Sequence, residues 1–257
     1  MKKHAVLFVG AGPGDPELIT VKGQKALQNA DMIIFAGSLV PEGVLSWAKS
    51  NAQLENSASM HLEQIIALIK DAFHRGKKVV RLHSGDPSLY GAIFEQIVSL
   101  RRLGIPYEIV PGVTAAFAAA AILGLEYTMP EICQTLILTR MAGRTPTPEL
   151  ESLKSLAAHQ ASLVVYLSSS LSEKVGNVLS EAYGESSPVV VAYRVSHPDQ
   201  KIVWTDAENL AATMKAENIN RQALIIAGKV LDCSDNHLTV SKLYDKAFSH
   251  GFRKAHG

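Results

Sequence analysis

Three times in the first half of this chain, a strand-like run stops at a glycine turn and a helix-like pattern follows. The runs are Ala5 to Val9, Val79 to Leu82, and Tyr107 to Val110. The turns are Gly10-Ala11-Gly12-Pro13-Gly14-Asp15-Pro16, Ser84-Gly85-Asp86-Pro87 and Pro111-Gly112-Val113-Thr114. A continuous apolar run fits a strand covered on both faces, the usual state of a parallel strand. Parallel strands with helical crossovers leave their carboxyl ends on one edge, where open α/β sheets bind small ligands. The first half is therefore expected to be α/β with a mostly parallel sheet, and the three turns are expected at one rim.

The middle turn is the pivot. Gly85 permits unusual backbone angles, Pro87 fixes φ and lacks an N–H, and a helix-like pattern runs from Tyr90 through Leu100. One such turn could be an ordinary strand-to-helix connection. Three of them, two with a polar side chain at the tip, favour a shared ligand crevice. The first turn looks like a dinucleotide fingerprint, but Pro13 removes one of the backbone donors on which a phosphate cradle depends. The second strand, Met32 to Phe35, ends in Ala36-Gly37-Ser38, without the acid that holds a ribose in such sites. The loop is expected to serve a ligand without phosphates.

Elsewhere in this half, Leu18, Val21, Ala26 and Leu27 can share a helix face. Leu62 to Phe73 reads as an amphipathic helix, and Ala115 to Leu123 as a small-residue helix. Thr128-Met129-Pro130 reads as a boundary between a domain of residues 1–130 and one of residues 131–235, with a basic tail over 236–257. The second half reads as strands Thr135 to Thr139, Leu163 to Leu167, Val189 to Val195, Ile202 to Thr205 and Ala223 to Val230. Helices are expected over Glu149 to Ala158, Leu171 to Tyr183 and Asp206 to Met214. The short link Ser196 to Lys201 implies an antiparallel hairpin, hence a mixed sheet.

Composition excludes several function classes. A net charge of +1 and the lack of a basic stripe leave no field to recruit nucleic acid or an anionic membrane. The longest apolar stretch, Ala115 to Leu125, is about half of the roughly 20 residues a membrane span needs. The two cysteines, Cys133 and Cys233, are too far apart for a disulfide framework or zinc spacing, which suits a reducing cytoplasm. None of the nine histidines has a second at the spacing of a zinc site, so no protein-bound metal is expected.

Together the three turns resemble those of the tetrapyrrole methylase family, and the resemblance runs from Val6 to about Val230. A narrower resemblance rests on Ala36 to Val40, on His83 to Ala92, on Leu138-Thr139-Arg140 with Gly143 to Pro146, and on Tyr193 to Pro198. The fold it implies is two α/β domains, a mostly parallel amino-terminal sheet and a mixed carboxyl-terminal one, with an inter-domain active-site cleft and usually a homodimer. The activity it implies is methylation from S-adenosylmethionine (SAM) at carbon 11 of precorrin-4 or cobalt-precorrin-4, in cobalamin biosynthesis. By resemblance the donor lies against Pro13, Ser84, Gly85, Asp86, Leu89, Thr114 and Ala115, with Leu167 and Val195 added from the second half. The uroporphyrinogen methylase has Tyr-Asp after its second strand and Lys-Gly-Gly-Asp-Pro-Phe in the pivotal turn. This chain has Phe35-Ala36-Gly37 and His83 to Ser88, so a base proposed for that sibling does not transfer.

The chemistry agrees with the loops. SAM has no phosphate, and methyl transfer from a sulfonium needs no metal and no covalent enzyme intermediate. No catalytic acid or base is named by the residues; Asp86 and Tyr90 are candidates, and a turn aspartate that bonds its own backbone is the plainer role for Asp86. The acidic macrocycle needs cations, and Arg140, Arg144 and Arg194 are the expected clamp, since arginine binds carboxylates in bidentate pairs. Two alternatives stay open. The chain could methylate another substrate on the same fold (another precorrin, a protein or ribosomal RNA), or it could be a non-catalytic sensor of SAM or tetrapyrrole.

Overall fold

The computed structural model describes residues 4–37, 40, 42–232 and 241–254. Ser38 and Leu39 of the second-strand motif, Cys233, and tail residues 236–240 and 255–257 lie outside the described residues. The chain divides into two compact units, one of Met1–Ala119 with Arg194–Asp199, the other of Ala120–Tyr193 with Gln200–Gly257.

The first unit carries β1 (Val6–Gly10), β2 (Met32–Phe35), β3 (Gln53–Asn56), β4 (Val79–His83) and β5 (Tyr107–Val110). They form one parallel sheet in the order β3-β2-β4-β1-β5. Leu7 of β1 lies opposite Val80 of β4 on one side and Glu108 of β5 on the other. The three strands that end in glycine turns are thus adjacent, and their turns leave the same edge.

Both faces of this sheet are covered, as the apolar runs require. Alternate residues Val6, Phe8, Ile34 and Val79 pack against Ile65, Ile69 and Phe73 of α3 (Leu62–His74) and Ile97 and Leu100 of α4 (Phe94–Arg102). On the opposite face Val9, Ile33, Val80, Leu82 and Val110 pack against Ala26 and Leu27 of α1 (Val21–Asn29). Each fully buried Leu, Ile or Phe contributes about 1.5–3 kcal/mol of transfer free energy. Thr20 caps α1 by accepting the Gly23 N–H at 3.1 Å.

Several local expectations are corrected. Val21 is 66% exposed. Five and six residues from Ala26 and Leu27, it is turned away from them, whereas Gly23 sits at the helical spacing and is buried. The helix after the pivotal turn begins at Phe94 rather than Tyr90, because Tyr90 (φ 55°) and Ala92 (φ 47°) are left-handed. The edge strand β3 and the short α2 (Glu42–Leu45) have no counterpart in the sequence reading. Gln53–Asn56 is polar and mostly exposed, so no apolar pattern announces it.

The second unit carries β6 (Leu136–Arg140), β7 (Ser162–Tyr166), β8 (Pro188–Tyr193), β9 (Lys201–Asp206) and β10 (Ala223–Ala227), in the order β6-β7-β10-β8-β9. Only β6 and β7 are parallel, and β8 and β9 form the expected antiparallel hairpin. Val175 and Leu179 of α7 (Ser172–Tyr183) and Leu210 and Met214 of α8 (Leu210–Ala216) pack on Leu163, Val165, Val189, Val191 and Ile225. The helix expected over Glu149 to Ala158 is a 3-10 turn, Glu149–Glu151, followed by α6 (Leu153–Ala157), with Ser152 capping the second piece. α8 starts at Leu210 because Asp206 still belongs to β9 and spends its carboxylate on the Asn209 N–H. β8 stops at Tyr193, where Arg194 turns left-handed (φ 44°), and β10 stops before Gly228 (φ 141°). α5 (Ala115–Leu123) follows the third turn, and the described part of the tail holds one 3-10 turn, Lys242–Tyr244. Among the described residues no helix is long and apolar enough to cross a membrane.

Candidate functional site

The three glycine turns are tied to one another by backbone and by one carboxylate. Ala11 N–H donates to the His83 carbonyl at 2.7 Å, and Gly12 and Gly85 exchange N–H to carbonyl bonds at 3.3 and 2.8 Å. Asp86 Oδ2 accepts the Gly112 N–H at 2.8 Å, and Oδ1 accepts the Ser88 N–H at 2.8 Å and the Ser88 hydroxyl. Asp86 thus makes the ordinary turn bond to the residue two positions on and also pins the third turn to the second. Its glycines are required by this mutual approach. A Cβ at Gly10 would lie 2.6 Å from Gly112 Cα and from the Gly85 carbonyl, and one at Gly112 would lie 2.1 Å from that carbonyl.

Burial pushes the Asp86 carboxyl upward, but the Ser88 hydroxyl, the Gly112 N–H and the Ser88 N–H outweigh it and hold the group below its usual range. A depressed folded-state value gives stability that is fully present above the unfolded value and lost as pH falls through the folded one. Acid unfolding of the native chain is therefore expected to include a component below the ordinary aspartate value of 3.8, absent from Asp86→Asn. Urea midpoints between about pH 2 and 6 check this; parallel curves for the two proteins would refute it.

Gly85 differs from its neighbours. At φ +60°, a Cβ there would meet nothing closer than Thr114 Cα at 3.8 Å and the Val113 carbonyl at 4.0 Å. The space beside Gly85 is open to a ligand atom, next to Ser84, Thr114 and the start of α5 at Ala115. The first turn is met by the β8–β9 link. Asp15 N–H donates to the Ser196 hydroxyl at 3.0 Å, and a Cβ on Gly14 would press on His197, Ser196 and the Val195 carbonyl. Val195 is buried, and Arg194 and Ser196 flank it in left-handed conformations. Burial first, then the Arg194 charge, lowers His197 below its usual value, although Asp199 and a hydrogen bond with the Pro13 carbonyl pull the other way.

The structure therefore gathers Pro13, Ser84, Gly85, Asp86, Leu89, Thr114, Ala115 and Val195 in the first unit. Arg194 belongs there too, held by Asp199 at 2.8 Å and lying 3.3 Å from His197 Nδ1. Leu167, Arg140 and Arg144 belong to the second unit. Leu167 is 70% exposed just past β7, in a left-handed conformation. Arg140 spends its guanidinium on its own loop, donating to the carbonyls of Thr145 at 3.2 Å and Pro146 at 2.8 Å. Arg144 is exposed on that loop. Among the described residues no group of His, Cys, Asp and Glu is placed to hold a metal ion.

Beside the pivotal turn is a cavity of ≈ 670 Å³ that the sequence reading missed, within the usual range for small-ligand sites. Its lining includes Ser57, Arg81, His83, Tyr90, Glu95 and Gln96. Arg81 and His83 are two residues apart on β4 and so face the same side of the sheet. Burial lowers Arg81 to about 10, leaving it cationic at neutral pH. Burial, and then the Arg81 charge, push His83 down to about 3, so its ring is neutral. An arginine inside an apolar-flanked strand was the available signal for this cavity.

Comparison with known proteins agrees with these features. The profile of the Tetrapyrrole (Corrin/Porphyrin) Methylases matches residues 5–211. A cobalt-precorrin-4 C(11)-methyltransferase of Methanocaldococcus jannaschii is 52% identical over 98% of this chain and 96% of its own. A precorrin-4 C(11)-methyltransferase of Pseudomonas aeruginosa is 50% identical over 96% of this chain and 98% of its own. Among solved structures, a cobalt precorrin-4 methyltransferase of cobalamin biosynthesis superposes with a TM-score of 0.87 at 48% identity, covering 89% of this chain and 96% of that one. A uroporphyrin-III C-methyltransferase of Thermus thermophilus, complexed with S-adenyl homocysteine, gives 0.72 at 28% identity over 89% of this chain and 93% of that one. With its three pinned turns on one parallel sheet and its mixed second sheet, this chain belongs to the tetrapyrrole (corrin/porphyrin) methylases.

Proposed function

We propose that this chain is a SAM-dependent C-methyltransferase that methylates carbon 11 of precorrin-4 or cobalt-precorrin-4 in cobalamin biosynthesis. The observation that carries the reading is a rim of three interlocked, phosphate-unfriendly turns on which Gly85, unlike Gly10 and Gly112, leaves room for a further atom. Relatives of near-equal length and about half-identical sequence bear that activity in their names. The donor is held by the backbone at Pro13, Ser84, Gly85 and Thr114, with Leu89, Ala115 and Val195 beside it and Asp86 fixing the turn. Leu167 contributes from the domain of residues 131–235, and residues 236–257 stay outside the site.

When bound, SAM supplies an electrophilic methyl group on a sulfonium sulfur. The chain's own part is to align that methyl with the nucleophilic ring carbon and to keep both still. Holding two reactants in line can supply about 7–11 kcal/mol of the barrier. Asp86, ionised and occupied by three donors, is a positioning residue in this reading. Tyr90, in the lining of the cavity, remains the side chain to test for proton removal. Arg144, Arg140 and Arg194 clamp the macrocycle's carboxylates, and any cobalt arrives inside the substrate. The chain acts as a cytoplasmic homodimer without nucleic acid or membrane.

Incubation with methyl-labelled SAM and either precorrin-4 or cobalt-precorrin-4 tests the reading. Label is expected in the macrocycle, at a faster rate with whichever form is native, and Arg144→Ala is expected to raise KM with little change in kcat. Binding of SAM without transfer to either macrocycle would reject it.

A further inference from the structure

Arg81 is 5% exposed, and among the described residues it makes no ion pair. Its guanidinium donates to neutral acceptors, with Nε on Gln96 Oε1 at 3.1 Å and Nη1 on the Ile34 carbonyl at 3.1 Å. Neutral acceptors satisfy N–H groups but leave the charge uncompensated, and a desolvated charge without a counter-charge is costly. His83 is 4% exposed, and its Nε2 is buried without a hydrogen-bond partner. Both line the ≈ 670 Å³ cavity at the carboxyl ends of β2 and β4. The acid in that lining, Glu95, is not within ion-pair distance of Arg81.

We propose that this cavity is a carboxylate subsite, in which Arg81 receives one acidic side arm of the macrocycle and the imidazole of His83 offers a further hydrogen bond. It rests on the reading of the substrate as an acidic tetrapyrrole and adds to it a seat separate from the arginines Arg140, Arg144 and Arg194. The incoming carboxylate supplies the charge that the sheet interior lacks. Tyr90 and Ala92, which line the same space in left-handed conformations, form the wall beside it. Strain of that kind persists where the surroundings over-determine a site.

Gln96→Glu is the informative variant. It places a carboxylate where the amide already touches Arg81 Nε, so it neutralises the cation without removing it, at the loss of the bond that Gln96 Nε2 donates to the Ala92 carbonyl, while Arg81→Met removes the charge in a similar volume. Equilibrium titration of the full chain with cobalt-precorrin-4, followed by absorbance, should show about a tenfold or greater loss of affinity in both variants. Calorimetric SAM affinity and the thermal midpoint should stay near wild type in at least Gln96→Glu, which a general loss of structure would not allow. Equal macrocycle affinity in wild type and a folded variant overturns the subsite while leaving the methyltransferase reading intact. Failure of wild type to bind the macrocycle overturns both. Sodium acetate separates the two sources of a carboxylate: Arg81-dependent stabilisation by acetate, with macrocycle binding indifferent to both substitutions, assigns the cavity to a free small acid and overturns the proposal.

Discussion

Gly112→Ala is expected to unfold the first unit or leave it barely stable. The added Cβ would stand 2.1 Å from the Gly85 carbonyl oxygen and 2.8 Å from Gly10 Cα. Both obstacles are backbone: Gly10 ends β1 within the parallel ladder, and Gly85, just past β4, is bridged to Gly12, so neither can swing aside as a side chain would. Overpacking a core by one carbon costs about 1–3 kcal/mol where side chains can give way, and occasionally more. Here backbone must move, so at least about 3 kcal/mol is expected, against about 5–15 kcal/mol for a whole domain. Separation of the turns would also break the bond from Gly112 N–H to Asp86. A urea titration followed by circular dichroism measures it; a midpoint close to wild type would mean the turns are not locked as described.

Gly85→Ala should do the opposite, sparing the fold and damaging the donor site. Its φ of +60° costs an alanine about 1–2 kcal/mol, but the Cβ finds only ordinary contacts, at 3.8 Å or more. The methyl group instead takes the space assigned to SAM. SAM affinity should fall tenfold or more by calorimetry, while the thermal midpoint drops by only a few degrees. Unchanged affinity would move the donor away from this turn. Gly112 and Gly85 thus separate two reasons for a glycine, one backbone meeting another and one backbone meeting a ligand.

Much of the first unit was legible because β1, β2 and β4 are largely apolar and buried and the turns carry glycine and proline. The parallel sheet and the shared rim follow from that pattern, whereas the order β4-β1-β5 does not. The pattern has no voice at Gln53–Asn56, where a polar strand is held by pairing with β2 alone. It also misplaced the start of α4, since left-handed Tyr90 and Ala92 are set by their surroundings rather than by intrinsic preference. At the site, the turn residues were readable because their backbone demands are local. The bonds from Arg140 to the carbonyls of Thr145 and Pro146 were not legible, because loop carbonyls have no sequence signature. The cavity beside His83 was missed because it needs β2, β4 and two loops at once.

The chain crosses between its two compact units three times, at Ala119 to Ala120, Tyr193 to Arg194 and Asp199 to Gln200. A gene fragment ending near residue 130 would encode every strand of the parallel sheet yet omit the hydroxyl that caps Asp15 and the imidazole beside Gly14. Separate expression of the halves, domain exchange between relatives and circular rearrangement must therefore carry Arg194–Asp199 along with the amino-terminal piece. The six-residue excursion makes the two lobes one heritable unit.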